Sequence, residues 1–358
     1  MGKLWKDNWE ETKKHFNGWW DHTGMVVYLG GKVNQLSKPH AVFPDPGPAS
    51  SIKDRYVNPE WLAKHWKYRL SRENFIADNL PLASTNIGPG SLALYLGAEP
   101  GFAEDTVWYK PMISDPEKSP ALKFDPENKW WNVQLDIIRR IKDLSEGNYF
   151  VGFPDIIENL DILSAMRDPQ PLMTDMCDRP EWVKEKISEI NKAFFQTYQI
   201  IYEMIKLEDG SSCFGPFELW APGKVAKVQC DASAMFSPSM FEEFVLPGLS
   251  EQCDWLDHSM YHLDGTQCIC HLDLLLSIKG LDAIEWTPQA GLPGGGDKRW
   301  WDLYKRILKG GKSLQAIAVD PKDVKPMLDA IGTKGVYLQI GPVNTMKEAE
   351  EILKICGR

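Results

Sequence analysis

Residues 260–287 read MYHLDGTQCICHLDLLLSIKGLDAIEWT. Two short apolar runs of strand length, Met260–Asp264 and Ala283–Thr287, flank a leucine-rich segment with a helical pattern around Leu272–Leu276. A strand, a helix and a second strand in this order are typical of a parallel sheet with crossover helices. This stretch therefore predicts an α/β fold.

The same alternation of apolar runs and helical patterns extends in both directions along the chain. The further predicted strands are Met25–Leu29, a strand within Phe75–Ser84, Tyr149–Pro154, Ser212–Glu218, Lys227–Asp231, Ser313–Ala318 and Gly335–Ile340. Roughly eight strands with intervening helices predict a (β/α)8 TIM barrel. We expect one domain over residues 1–358, with residues 1–75 as an N-terminal elaboration. A doubly wound open sheet is the alternative, and the lack of GxGxxG after an early strand weakens its dinucleotide-binding form.

Helix starts are marked by a capping side chain followed by proline or by a polar pair. Asp178-Arg179-Pro180-Glu181 predicts a long helix that continues to Ile205. The other predicted starts are Asn58-Pro59-Glu60, Asp125-Pro126-Glu127, Ser237-Pro238, Asp320-Pro321 and Asn344-Thr345. The segment Lys38–Pro59, rich in proline, serine and glycine, is predicted to be a long surface loop.

Composition excludes several classes of protein. The formal net charge of −10 disfavours nucleic acid and anionic membranes as partners. The seven cysteines are odd in number and form no CxxC pair, which indicates reduced thiols. No apolar leader and no run of about 18 apolar residues is present. We therefore expect a soluble, cytoplasmic protein that acts on a small molecule.

In such a barrel the active site lies at the carboxyl ends of the strands. His262 and Asp264 are two residues apart on one strand, so both side chains point the same way. Burying such groups is expensive unless they are paired, hydrogen-bonded or bound to metal. The predicted catalytic residues are His262, Asp264, Glu218 and Glu285, and the predicted substrate-binding residues are Trp220, Gln229, Asp231, Trp286 and Gln339.

Structural roles remain open for each of these residues. His262 could be a hydrogen-bonded structural residue, Asp264 before Gly265 could shape a turn, and the glutamates could anchor loops. The sequence Cys268-Ile269-Cys270-His271 looks like a metal motif, but it leads directly into an apolar helical run, which favours packing. No GxSxG, HExxH or Walker sequence is present, so hydrolase, zincin and NTPase functions have no motif support.

Three groups of residues resemble the uroporphyrinogen decarboxylase superfamily. They are Tyr261-His262-Leu263-Asp264-Gly265 with His271-Leu272-Asp273, the run Gly280–Pro288, and Asp231 with Phe236-Ser237-Pro238, Phe241–Phe244 and Leu163–Asp168. The resemblance covers the chain from about residue 75 to the end and implies a (β/α)8 barrel. It also implies one of two chemistries: cofactor-free decarboxylation of uroporphyrinogen, or methyl transfer to or from a corrinoid carried by a partner protein, usually with zinc.

The methyltransferase branch fits this sequence better than the decarboxylase branch. The decarboxylases carry an arginine-rich N-terminal segment, whereas the first 60 residues here contain one arginine, Arg55. In the thiol-specific methyltransferases a His-x-Cys pair and a cysteine near the last strand hold zinc. Here His262 matches the histidine, Asp264 stands in place of the cysteine, and the last strand offers Gln339 and Gly341.

A histidine with carboxylates makes a harder, more Lewis-acidic site than thiolates do, and such a site suits an oxygen leaving group. Our hypothesis is therefore an O-demethylase methyltransferase. In it His262, with carboxylates such as Asp264, Glu218 or Glu285, either binds zinc, with His262 and Asp264 as the candidate ligands, or acts directly as a general acid. Its methyl group would pass from a methoxy-aromatic donor to cobalamin on a partner corrinoid protein, and the enzyme could be a homodimer. The alternatives are a cofactor-free decarboxylase or lyase and a non-catalytic binding barrel.

Overall fold

The structure is a computed structural model that describes residues 2–157 and 159–358. These residues form fourteen α-helices and twelve β-strands. The helices are α1 Trp9–Trp20, α2 Asp54–Val57, α3 Pro59–Leu70, α4 Leu92–Tyr95, α5 Lys129–Ser145, α6 Asn159–Arg167, α7 Pro169–Asp178, α8 Pro180–Ile205, α9 Pro238–Phe244, α10 Leu246–Trp255, α11 Leu272–Ser277, α12 Trp301–Lys309, α13 Pro321–Ile331 and α14 Met346–Ile355. The strands are β1 Met25–Leu29, β2 Leu82–Ala83, β3 Glu99–Phe102, β4 Val107–Lys110, β5 Phe150–Val151, β6 Ser212–Phe214, β7 Leu219–Ala221, β8 Val225–Gln229, β9 His258–Asp264, β10 Ala283–Thr287, β11 Ser313–Val319 and β12 Val336–Ile340.

Six strands form one parallel sheet in the order β1-β12-β11-β10-β9-β8. From β8 to β12 each strand is followed by at least one helix before its neighbour, which is the alternation read from the sequence. Strand β1, from the predicted N-terminal elaboration, pairs in parallel with β12 and forms an edge of this sheet. The predicted α/β class is confirmed, whereas a complete (β/α)8 barrel stays a prediction.

Beyond β1 the sheet is continued through side chains rather than by strand pairing. The backbone N–H of Val27 donates to Asp78 Oδ2 at 2.8 Å, and that of Leu29 donates to Asn79 Oδ1 at 2.9 Å. The chain then continues into β2, which pairs in parallel with β5. Just after β5, an isolated bridge joins Phe153 to Phe214 of β6. The buried Asp78 and Asn79 thus satisfy backbone donors of β1 that have no strand partner on that side.

A short hairpin replaces the predicted strand Ser212–Glu218, and that prediction is wrong beyond Phe214. Strand β6 ends at Phe214, and the chain turns back into the antiparallel strand β7. Glu218 lies in the turn with φ of 52°, in the left-handed region that non-glycine residues seldom adopt. Residues 215–218 are called the hairpin tip below.

The hairpin tip lies against one face of the main sheet. Gln315 on β11 and Gln339 on β12 donate side-chain hydrogen bonds to the Phe217 carbonyl oxygen at 3.0 and 3.2 Å. The Tyr337 hydroxyl donates to the Glu218 carbonyl oxygen at 3.1 Å. These bonds satisfy turn carbonyls that the hairpin itself leaves free and hold the tip over β11 and β12.

Most helix starts follow the predicted capping chemistry. The side chains of Asn58, Ser237 and Asp320 accept backbone hydrogen bonds at the starts of α3, α9 and α13, each with proline in the first turn. Thr345 and Glu348 form a capping box at the start of α14. The start predicted at Asp125 is wrong, because the Asn128 side chain, not Asp125, accepts the capping hydrogen bonds of the helix that begins at Lys129.

None of the helices within the described residues combines the length and apolar character needed to cross a lipid bilayer.

Candidate metal centre and active site

A row of polar side chains crosses the sheet face that the hairpin tip covers, here called the inner face. Gln229 on β8 pairs in register with His262 on β9, His262 with Glu285 on β10, and Glu285 with Gln315 on β11. Residues in register on parallel strands project to the same side of a sheet. The row therefore brings an amide, an imidazole and a carboxylate side by side.

His262 and Glu285 form a buried ion pair at the centre of this row. His262 Nδ1 lies 2.5 Å from Glu285 Oε2, and Glu285 is fully buried. The second glutamate oxygen, Oε1, accepts a hydrogen bond from Thr287 Oγ1 at 2.8 Å. Burial lowers the pKa of His262, but the adjacent Glu285 charge and hydrogen bond outweigh burial and raise the pKa above its ordinary value.

Asp231 and Asp264 stand one step beyond this row, towards the carboxyl ends of the strands. Asp264 is two residues after His262 on β9, and Asp231 is two residues after Gln229. Strand β8 ends at Gln229, so the predicted strand Lys227–Asp231 is displaced and Asp231 begins a 3-10 turn. One ligand atom from each of Asp231, His262 and Asp264 can be chosen so that all three lie within 4.8 Å of one another.

These three residues, called the triad below, fit a divalent metal ion. Two carboxylates and an imidazole form a hard oxygen and nitrogen donor set. Because Nδ1 of His262 is engaged by Glu285, its Nε2 is the ring nitrogen left to ligate. A metal-binding histidine commonly donates its other ring N–H to a buried carboxylate, which fixes the ring and raises its basicity. Glu285 supplies that carboxylate.

Asp161 on α6 holds Asp231 in place, and the sequence analysis did not identify it. Its Oδ2 accepts hydrogen bonds from Gln229 Nε2 at 3.0 Å and the Asp231 N–H at 2.8 Å, and its Oδ1 accepts from the Ala232 N–H at 2.9 Å. The carboxyl group of Asp231 is crowded by protein, although the residue opens to solvent on one side. This desolvation and the nearby Asp161 charge raise the pKa of Asp231 to about 6.

Lys227 is a second residue that the sequence analysis missed. It is buried on the inner face, where its Nζ lies 2.8 Å from Asp155 Oδ1 and donates to the Gln229 side-chain oxygen. Lys227, Gln229 and Asp231 alternate along the chain, so the strand period places them on one side. This alternation could have identified Lys227 from the sequence. It was not used, because lysine is rarely buried.

A cavity of about 590 Å³ reaches the triad at Asp231. Trp108 and Tyr109 of β4 line it together with aliphatic residues of α6. The Tyr109 hydroxyl is bonded to the Pro89 carbonyl oxygen at 2.7 Å, so this residue presents its ring rather than a free polar group. The space suits a small molecule with an aromatic part.

The structure separates three of the predicted site residues from the triad. Trp220 is buried in β7 against Phe16 of α1, and Trp286 is buried against Trp300 at a ring distance of 4.9 Å. Trp286 follows Glu285 on β10, so the strand period turns it away from the inner face. Glu218 lines a separate internal cavity of about 100 Å³.

Gln339 contacts the site indirectly. Its side chain binds the Phe217 carbonyl oxygen, and the Phe217 ring lies 5.0 Å from the His262 ring. The hairpin tip therefore packs against His262 through Phe217, and Gln339 holds the tip in place. Gln229, Asp231, His262, Asp264 and Glu285 are the predicted residues that the structure brings together.

The Cys268–His271 segment is not part of a metal-ligand cluster within the described residues, where the triad is the one such group of three. It forms a 3-10 turn, in which the buried His271 bonds through Nε2 to the Ser233 carbonyl oxygen at 3.0 Å. The Ser233 hydroxyl in turn lies 3.5 Å from Cys268 Sγ. Packing explains this segment, as its position before an apolar helix indicated.

A second and larger cavity lies elsewhere, and no triad residue lines it. It measures about 970 Å³ and is formed by the loop after β1 together with α3. Three arginines line it, Arg55, Arg69 and Arg72, with Trp61, His65 and Tyr68 between them. Size alone therefore does not mark the active site, and the triad cavity has the stronger claim because it adjoins the potential metal ligands.

Comparison with known proteins adds little to this picture. No protein-family model matches the chain, and no curated protein matches it. Among solved structures the chain is similar to a GH138 enzyme targeting pectin rhamnogalacturonan II, with a TM-score of 0.36 and 12% sequence identity. The match covers 88% of this chain and 34% of that one, so the chain spans about a third of the length of the GH138 enzyme. The resemblance to the uroporphyrinogen decarboxylase superfamily stays a prediction, and the activity has to be argued from the site.

Proposed function

We propose that this chain is a metal-dependent methyltransferase with a (β/α)8 barrel, in which β2, β5 and the β6–β7 hairpin close the ring between β1 and β8. It moves a methyl group from a small methoxy-aromatic donor to the cobalt of a partner corrinoid protein. The observation that carries the proposal is the triad Asp231, His262 and Asp264 with Glu285 buried behind the histidine.

The triad supplies what cleavage of an aryl methyl ether needs. Phenolate is a poor leaving group, and a metal ion held by the triad, zinc in the simplest case, would act as the Lewis acid at the ether oxygen. Glu285 orients the His262 ring and keeps Nε2 directed at the metal position. Asp161 fixes the backbone of residues 231 and 232 and so sets the position of the Asp231 carboxylate.

The aromatic wall of the cavity supports a ring-bearing donor. Trp108 and Tyr109 belong to β4, and both residues are part of the lining of the cavity that reaches Asp231. A donor ring in this cavity would be held mainly by burial of apolar surface. The methoxy group would then point towards Asp231, where the cavity reaches the triad.

The test combines metal analysis with a methyl-transfer assay. We expect the purified protein to hold about one divalent metal ion per chain. When a methoxyarene is added to the protein and cob(I)alamin, we expect the absorbance of cob(I)alamin to decrease. His262→Ala should abolish both, whereas His65→Ala, in the arginine-lined cleft, should change neither. A fully active protein without bound metal would refute the metal part. Carbon dioxide release without any corrinoid would support the alternative cofactor-free decarboxylase, and ligand binding without turnover would support a binding protein.

A further inference from the structure

We infer that the triad cavity takes methoxyarenes that carry no negative charge and selects against those that carry a carboxylate. This inference rests on the proposed function, because it specifies the donor for the same site. It is carried by the distribution of charged side chains around the cavity.

Acidic side chains dominate the surroundings of the triad. Asp155, Asp161, Asp231, Asp264 and Glu285 lie in one connected group, against the cations Lys227 and, when protonated, His262. Lys227 is already bound to Asp155 beneath the polar row. A bound divalent cation would neutralise part of this charge, and the remaining carboxylates would still leave the site negative.

The cavity walls offer nothing that would compensate a carboxylate. The charged residues among its described lining are Asp161, Asp168 and Asp231, with no lysine or arginine. A benzoate bound in this cavity would lose hydration without gaining a cationic side chain as partner, which is unfavourable. An uncharged ring of the same shape would bind without this cost of desolvating a carboxylate.

The chain does place cations around a cavity, but at a different location. Arg55, Arg69 and Arg72 line the cleft formed by the loop after β1 and α3. If anionic donors were the intended substrates, arginines of this kind would be expected at the triad cavity, since guanidinium groups pair well with carboxylates. The arginines that could attract an anion therefore line a different cavity from the one at the proposed reaction centre.

Three matched donors test the inference. They are 2-methoxyphenol, 4-hydroxy-3-methoxybenzamide and 4-hydroxy-3-methoxybenzoate, of which the last two differ in charge and hardly in size. With cob(I)alamin as acceptor, we expect kcat/KM for the amide to exceed that for the acid by about tenfold or more. The gap should narrow as salt is added if its cause is electrostatic.

A rim variant and a control outside the site sharpen the result. Asp168 lies exposed at the cavity and caps α7, and asparagine caps helices about as well, so Asp168→Asn removes charge with little structural change. It should raise the acid-to-amide ratio of kcat/KM by about two- to fivefold. Arg55→Ala, in the other cleft, should leave that ratio unchanged.

The outcomes separate the inference from the proposed function. Turnover of the acid as fast as the amide, or faster, would overturn the charge selection while leaving methyl transfer intact. If no donor is turned over, the proposed function fails. Calorimetric titration with the amide and the acid then still decides the charge selection, because tighter binding of the acid would refute it.

Discussion

Glu218 carries the most quantitative prediction, because its carboxyl group is shielded in the folded chain. Its Oε2 is buried and has no hydrogen-bond partner among the residues that the structure describes. Burial, together with the nearby Glu73 charge, raises the pKa of Glu218 from about 4.5 to about 8. At neutral pH the folded protein therefore keeps a proton that the unfolded chain releases.

The sign of the effect on stability follows from this proton. Above pH 4.5 the unfolded state loses the proton and the folded state keeps it, so the free energy of unfolding falls as the pH rises towards 8. Each pH unit in this window costs about 1.4 kcal/mol, which gives about 3 kcal/mol at pH 7. That value is an upper bound, because Glu218 is only half-buried and lines a cavity large enough to hold water.

Glu218→Gln removes the ionisation and nearly preserves the shape of the side chain. We expect the variant to be more stable than the native protein at pH 7 to 8, by up to about 3 kcal/mol at pH 7, and to differ little near pH 5. Urea unfolding from pH 5 to 8 measures this difference, with Glu350→Gln on the exposed side of α14 as control. A difference between Glu218→Gln and the native protein that stays constant with pH would refute the reasoning.

Four further substitutions test the site and its support. Glu285→Gln should weaken metal binding by about 10- to 100-fold in a competition titration with a chelating indicator, and Thr287→Val should weaken it less; equal effects would contradict the orienting role of Glu285. Asp264→Cys should give the Co²⁺-loaded protein a thiolate-to-cobalt absorption band that the native protein lacks. If this band does not appear, residue 264 is not a metal ligand. Tyr337→Phe should lower the free energy of unfolding by about 1 kcal/mol through the lost hydrogen bond to the hairpin tip; an unchanged urea midpoint would show that this bond adds no stability.

The parts of the fold that follow local rules were predictable from the sequence. The strands from β9 to β12 contain short apolar runs, and helices separate them, so the alternation of the two patterns identifies them. The strand period also correctly placed His262 and Asp264 on one face. The β6–β7 hairpin was missed, although Gly215-Pro216 is a turn signal, because the apolar residues on both sides suggested one continuous strand.

The contacts that complete the site depend on distant parts of the chain. Asp161 reaches Asp231 across 70 positions, and Phe217 lies against His262 only because Gln315 and Gln339 hold the hairpin tip. Neither contact has a periodic signature, since each depends on how α6 and the hairpin pack onto the sheet. Trp286 was wrongly predicted to bind substrate. Its neighbour Glu285 faces the site, so the strand period alone places Trp286 on the opposite face.

The position of the third potential ligand explains why the metal site was hard to complete from sequence. The resemblance directed the search to the last strand, where Gln339 and Gly341 offer no suitable ligand. In the structure the third potential ligand is Asp231, just beyond β8, and β8 pairs with the strand that carries His262 and Asp264. The three potential donors then arise from β9 and from the turn directly after its neighbour β8, and they are one histidine and two carboxylates. Under the proposed function, this oxygen and nitrogen donor set suits a Lewis-acidic metal ion and an oxygen-linked methyl group better than thiolate ligands would.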